Sequence, residues 1–474
     1  MEKQNLTMLT DFYELTMGNG YFLQGVGDRI CYFDVFYRRV PENGGYVIAA
    51  GLESFIDYIQ NLHFSEDDLA FLKKKGFDDR FLDYLRNFKF ECDVWAVPEG
   101  TPIFPNEPVM TVRGPAIQSQ FIETMTLLLI NHQSLIATKA NRIVRAAKGR
   151  AVMEFGSRRA HNTSAAILGG RSAYIGGCVG TACTIDEPEY GIPALGTMAH
   201  SWIQLFDSEY EAFYKYAELY PNNCTLLVDT YDVLRSGIPN AIKVFDELKP
   251  AKKGIRIDSG DIAYLTKEAR KMLDAAGHTD CSICVSNSLD EYLIRDILLQ
   301  GAFIDSLGVG ERLITSSAEP VLGGVYKLMA VEENGKIIPK IKISENVEKV
   351  TNPGYKKVWR LRDKNTGKDF ADVLTVYDEP APAGEDYPIV DLISAKHFKR
   401  IGNFEARELL VPIFKGGELV YKKPTLEEIR KTCEENVGAV WEEVLRFENP
   451  HRFYVDLSNK LWHLRSSMLE EYDK

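Results

Sequence analysis

Cysteine is scarce in this chain: eight in 474 residues, scattered and mostly set in apolar or glycine-rich stretches. Such usage suits a reducing compartment better than a disulfide framework. The one C-x-x-C, Cys281-Ser-Ile-Cys284, precedes Val285 in a stretch that reads as a strand. Residues i and i+3 of a strand face opposite ways, so this pair cannot share a metal. Positive charge is in deficit, with 56 Lys and Arg against 68 Asp and Glu, a net charge of -12. A chain of that sign is not a general nucleic-acid or anionic-membrane binder, because neither phosphate surface is met by a basic field. Any anionic substrate must find a local basic pocket. Long apolar runs are missing as well: Leu127 to Ile130 is far too short to cross a bilayer, and Met1 to Leu6 lacks a basic segment leading into an apolar one. The expectation is a cytoplasmic protein.

What is present is length and apolar content. At 474 residues and 45% hydrophobic, the chain buries a large core and divides into more than one domain. Residues 1–115 read as an N-terminal α+β domain: a helix at Thr10 to Gly20, a strand at Cys31 to Tyr37, a turn at Glu42-Asn-Gly-Gly45, a strand at Tyr46 to Ala50, and helices at Leu52 to Leu62 and Ser65 to Lys75. Five prolines between Val97 and Pro115 mark turns and edge strands. Residues 116–150 read as a connecting helix, apolar-striped from about Gln118 to Lys148 and ended by Gly149. From Ala151 strands alternate with helices such as Ile262 to Ala276, the pattern of a parallel sheet with right-handed crossovers. The fold class is α/β. The expected arrangement is an irregular or partial β/α barrel over 151–350, with a C-terminal segment, 351–474, packing back on the N-terminal domain and completing it. That last segment holds a lysine-rich tract, the link Asp378 to Glu385 and a helix at Thr425 to Cys433.

The chemistry lies in seven polar clusters, each after an apolar run: Phe155-Gly-Ser-Arg-Arg159, Gly196-Thr-Met-Ala-His-Ser201, Val228-Asp-Thr-Tyr-Asp232, Arg256-Ile-Asp-Ser-Gly-Asp261, Val285-Ser-Asn-Ser288, Gly308-Val-Gly310 and Gly323-Gly-Val-Tyr-Lys327. Asp229 to Asp258 is 29 residues and Asp258 to Asn287 another 29, the period of a β-α unit. Parallel units bring their strand C-termini to one face, where distant side chains meet. Arg158, Arg159 and Arg256 are suited to carboxylate or phosphate. The glycine turns at Gly308/Gly310 and Gly323/Gly324, near Thr315 and Lys327, let backbone N–H groups approach phosphate oxygens. Asp229, Asp232, Asp258 and Asp261 are suited to ribose hydroxyls or a divalent cation, and one of the last two is expected to cap the helix that starts near Ile262. Together they describe a pocket for a phosphorylated sugar.

Taken in order, these clusters resemble the nicotinate phosphoribosyltransferase family of NAD salvage. The resemblance runs from Thr10-Asp-Phe-Tyr-Glu-Leu-Thr-Met17 through Gly323-Gly-Val-Tyr-Lys327 to Lys342-Ile-Ser344, Lys349, Thr351 and Pro353-Gly354. It implies that nicotinate and 5-phosphoribosyl 1-diphosphate give nicotinate mononucleotide and pyrophosphate, with ATP hydrolysis coupled through a phosphohistidine at His200 and with Mg²⁺ present. It implies catalytic roles for His200, Asp258 and Asp229, either aspartate being the metal ligand. Tyr13, Phe155, Arg158, Thr197, Ser201, Arg256 and Ser259 would contact substrate, with Phe155 stacking on the pyridine ring. Gly308, Gly310, Thr315, Gly323 and Gly324 would hold the 5-phosphate, although Glu311-Arg312 here intervene before Thr315. It also implies a homodimer in which Tyr13 reaches the neighbouring subunit's pocket. Nicotinamide-using relatives carry an aspartate after a Gly-Thr pair; Gly180-Thr181-Ala182 has none, which points to the acid. Two rivals stay open at this level: the same reaction on nicotinamide, and a non-catalytic barrel that senses the sugar donor or NAD precursors.

Overall fold

The structure is a computed structural model that describes residues 5–346, 349–391 and 398–472. The chain forms two compact units, one of residues 1–135 with 321–474 and the other of residues 136–320.

The first unit is built on two antiparallel-rich sheets. One has seven strands, in the order Lys336–Pro339, Gly324–Glu333, Ile30–Tyr37, Met110–Pro115, Asp93–Ala96, Val411–Lys415 and Glu418–Leu419. Its third strand, Ile30–Tyr37, is apolar almost throughout and buried on both faces. The other sheet has six strands, among which Lys356–Asp363 and Asp369–Val376 pair antiparallel around Trp359, Leu361 and Val373. The 321–350 stretch, expected in the barrel, belongs to this unit instead: Gly324–Glu333 pairs antiparallel with Ile30–Tyr37, so its apolar alternation serves a different sheet. The expected turn at Glu42 and Asn43 is there, both residues at positive φ.

The connecting helix is two helices. Ala116–Phe121 stops at Ile122, and Glu123–Ala146 begins after it. No glycine or proline signals the break; Ile122 itself is fully buried with ψ near 3°, and its carbonyl accepts from the Thr126 amide and hydroxyl to start the next turn. The helix ends as expected, through Lys148 and Gly149 at positive φ.

The second unit is a six-stranded parallel sheet in the order Gly180–Thr181, Ala151–Glu154, Ser306–Val309, Ser282–Val285, Lys253–Ile257 and Cys224–Leu227. The first and last long strands in sequence lie side by side, as in a barrel. The sheet stays open, because no strand among the described residues joins Gly180–Thr181 to Cys224–Leu227. Hence it is a partial barrel of the α/β class. Helices such as Ile238–Leu248, Ile262–Ala275 and Glu291–Leu299 connect the strands. Cys281 and Cys284 are buried free thiols, Cys284 on the strand Ser282–Val285 and Cys281 just before it.

Helix Glu291–Leu299 is fastened to the second half of helix Glu123–Ala146 by charge. The fully buried Glu291 carboxylate meets Lys139 Nζ at 2.9 Å and Arg142 Nε at 2.6 Å, both cations buried too. Removing one partner of such a group leaves desolvated charge behind. Glu291→Ala should therefore destabilise the second unit by about 3–5 kcal/mol, read as a lowered denaturant midpoint; a midpoint within error of the parent would show that the cations are satisfied without it.

Candidate active site

The C-terminal ends of the parallel strands gather the predicted residues of the second unit around Asp258. Lys253–Ile257 carries Arg256 and delivers Asp258 just beyond its end. Arg256 is largely buried, and its guanidinium is fully directed: Nη2 donates to Asp258 Oδ1 at 3.1 Å, Nη1 to Thr197 Oγ1 at 3.0 Å, and Nε to Ser286 Oγ at 2.9 Å. The same cation lies 5.6 Å from the centroid of the Phe155 ring. His200 opens the short helix His200–Gln204; its Nδ1 is 3.0 Å from Thr230 Oγ1 and its Nε2 is 3.9 Å from Asp258 Oδ2. His200 and Arg256 thus stand on one rim, on either side of one carboxylate.

The four predicted aspartates divide into two pairs. Asp232 and Asp261 are helix caps, Asp232 accepting from the Leu234 and Arg235 amides and Asp261 from the Tyr264 amide. Asp229 and Asp258 face the site. Asp229 Oδ2 accepts from the Asp258 amide at 3.0 Å and from Ser259 Oγ at 2.6 Å, which couples the two strand ends, while Asp229 Oδ1 is buried with no partner. Mg²⁺ is typically held by one or two carboxylates together with substrate phosphates, and an unpartnered oxygen beside a second carboxylate fits that donor set. Among the described residues no group of three or more His, Cys, Asp or Glu side chains is placed to cage a metal.

Phe155, Arg158, Ala182, Gly196, Thr197 and Arg256 line a cavity of about 280 Å³, with Ser157 and Leu195. Arg158 is exposed at its edge, and Arg159 points elsewhere, 3.9 Å from Glu311. Ser201 is exposed on the helix that His200 opens. Gly308 sits in a strand against Phe155, whose ring a Cβ there would strike, so this glycine makes room for the aromatic. Gly310 opens a short turn beside the Phe155 carbonyl. In that turn Thr315 Oγ1 donates to the Glu311 carbonyl at 2.7 Å, and Arg312 pairs with Asp290. The two residues that interrupt the loop thus have partners within the second unit.

Tyr13, Gly323 and Gly324 belong to the first unit. Tyr13 is 42% exposed and borders a cavity of about 530 Å³ shared with Glu123, Tyr326 and Lys327. Partial burial, with Glu123 nearby, pushes the Tyr13 phenol above its usual range, and burial holds the Lys327 ammonium below its own. Gly323 has open space where a side chain would be, whereas Gly324 lies against the Asn131 side chain.

Sequence reasoning missed Ser286 and Thr230 as site residues. Both stand inside clusters already singled out, and only the fold shows that their hydroxyls touch Arg256, Asp258 and His200.

Three family models cover most of the chain: the nicotinate phosphoribosyltransferase N-terminal domain at residues 8–131, the nicotinate phosphoribosyltransferase family at 150–377, and the nicotinate phosphoribosyltransferase C-terminal domain at 355–465. A nicotinate phosphoribosyltransferase of Bacillus subtilis is 42% identical over 470 residues, 98% of this chain and 96% of that protein. The chain belongs to the nicotinate phosphoribosyltransferase family. The fold agrees: the crystal structure of human nicotinic acid phosphoribosyltransferase is similar with a TM-score of 0.86, at 28% identity, covering 97% of this chain and 99% of that one. A nicotinate-nucleotide pyrophosphorylase from Pyrococcus furiosus aligns with a TM-score of 0.70 at 25% identity, over 92% and 96% of the two chains.

Within this nicotinate phosphoribosyltransferase family member, two carboxyls near Ala182 but outside the cavity lining, Glu154 and Asp186, are raised by burial. Thr181, next to Ala182, donates to the buried Glu154 carboxyl at 2.6 Å, and burial raises Glu154. Burial pushes the Asp186 carboxyl up to about 7, with Glu154 and Glu189 acting in the same sense. A carboxyl raised in the folded state favours folding below its unfolded value near 4, and that advantage is lost as pH climbs towards 7. Asp186→Asn should abolish this loss, gaining on the parent by on the order of 2–4 kcal/mol between pH 4 and 7. Parallel melting curves of the two proteins across that range would contradict it.

Proposed function

We propose that this chain is a nicotinate phosphoribosyltransferase of NAD biosynthesis, forming nicotinate mononucleotide and pyrophosphate from nicotinate and 5-phosphoribosyl 1-diphosphate. The observation that carries this reading is the cavity in which Arg256, held by Thr197 and Asp258, stands over the Phe155 ring. A flat aromatic acid needs both features, a face to stack on and a desolvated cation for its carboxylate. Arg158 at the edge supplies a second cation, and Ala182 in the wall brings no acid to repel a carboxylate or bind an amide. These features support nicotinate over nicotinamide.

In this reading the pyridine nitrogen attacks the anomeric carbon with its own lone pair, so no general base is required. The bond from that carbon to the diphosphate breaks, and its electrons leave with pyrophosphate. Asp258 and Asp229 oppose the positive charge that builds on the ribose, with Ser259 and Ser201 near the sugar. Asp229 or Asp258 would hold Mg²⁺, whose positive charge would stabilise the pyrophosphate leaving group. Gly310 and Thr315 of the second unit hold the 5-phosphate. Exposed Tyr13, Phe12 and Leu9 on or beside the first helix support a homodimer in which Tyr13 serves the neighbouring subunit's site.

ATP enters through His200. The Nδ1 contact to Thr230 orients the ring and leaves Nε2, on the Asp258 side, as the nitrogen that takes the γ-phosphoryl group while ADP departs. The dianion so formed orders cations or metal around the diphosphate.

Pyrophosphate release measured with nicotinate, nicotinamide and quinolinate, with and without ATP, tests the assignment, and turnover confined to nicotinate is expected. Arg256→Ala should weaken nicotinate by about 2–4 kcal/mol, at least a ~30-fold rise in its KM; an unchanged KM would remove Arg256 from the carboxylate site. His200→Ala should retain slow transfer that ATP no longer stimulates, and persistent stimulation would place the phosphoryl acceptor elsewhere.

A further inference from the structure

Arg256, Asp258 and Ser286 close a three-membered hydrogen-bond ring. Arg256 Nη2 and the Ser286 hydroxyl both donate to Asp258 Oδ1, and Ser286 Oγ accepts from Arg256 Nε at 2.9 Å. The hydroxyl has one proton and uses it on the carboxylate, so its lone pairs are what face the guanidinium. Ser286 is 4% exposed and is absent from the cavity lining. Its own backbone is fixed, the amide donating to the Ile257 carbonyl at 3.0 Å, one residue before Asp258.

The turn that follows is unusual. Asn287 and Ser288 are successive non-glycine residues at positive φ, 98° and 48°, a backbone that persists only where the surroundings impose it. The strand Ser282–Val285 ends so that this turn starts immediately after the hydroxyl is presented to Arg256 and Asp258.

We infer that Ser286 is a positioning residue for the nicotinate site, acting through Arg256. Without it, Asp258 keeps its charged partner through Nη2, but Arg256 loses the acceptor that fixes Nε and hence the plane of the guanidinium. The planar fork then no longer presents its remaining N–H groups to the cavity in one direction, and the ligand that depends on that direction is the one carrying a carboxylate. The sugar donor, held by other groups, is affected far less. This inference rests on the proposed reaction.

Steady-state kinetics of Ser286→Ala, run beside the parent enzyme, separate the two. The expected result is a rise of about tenfold in the KM for nicotinate, with the KM for 5-phosphoribosyl 1-diphosphate and the melting temperature little changed, and recovery in Ser286→Thr, which restores the hydroxyl. A nicotinate KM that stays at the parent value, or that moves in step with the donor's, overturns the inference. If Ser286→Ala does not fold, Ser286→Cys keeps the shape, donates only weakly and should show the same split. A parent enzyme that releases no pyrophosphate would overturn the proposed reaction instead.

Discussion

A carboxylate whose one oxygen is taken by two donors must offer its other oxygen somewhere else, and Asp258 is held in this manner. Arg256 and Ser286 occupy Oδ1, and Oδ2 is left towards His200. The position of the pocket cation and the direction of the imidazole follow from where this side chain sits, and the backbone amide of the same residue is the partner of Asp229. It sits there because the parallel strand Lys253–Ile257 ends at Ile257, with neighbours in register on both sides. The local electrostatics are consistent with the negative charge of the whole chain: an acidic protein presents one shielded cation to an anion by balancing it against an equally shielded acid.

Much of the second unit was legible from spacing alone. Strand ends about 29 residues apart predicted a parallel sheet, and Asp229, Asp258 and the Val285–Ser288 cluster do occupy successive ends. What spacing does not carry is which polar residue turns back on its own backbone. Asp232 and Asp258 are alike in sequence, but only the first is followed by amides free to be capped. Gly308 reads as a phosphate turn by type, whereas its strand position makes it the space into which Phe155 packs.

The first unit was harder to read for another reason. Its sheets are assembled from segments hundreds of residues apart, such as Asp93–Ala96 beside Val411–Lys415, and no local pattern encodes such pairing. Lys356–Asp363 mixes charged with apolar residues without a clean alternation, and its lysines and arginines resemble a solvated basic tract until Arg360 is seen buried on Asp372 at 2.6 Å. The break at Ile122 carries no glycine or proline and could be found only from coordinates.

The open parallel sheet has a bearing on how the chain is made. Its strand Ala151–Glu154 pairs with Ser306–Val309, so when the earlier strand leaves the ribosome its long neighbour has yet to be synthesised. The first unit waits longer still, since Asp93–Ala96 stays unpaired on one side until Val411–Lys415 appears. Contacts of such sequence separation slow folding and leave strand edges exposed during synthesis. Biogenesis of this chain is thus a late, nested event in which the inserted 136–320 segment is complete before the residues that enclose it in sequence can finish their own sheet.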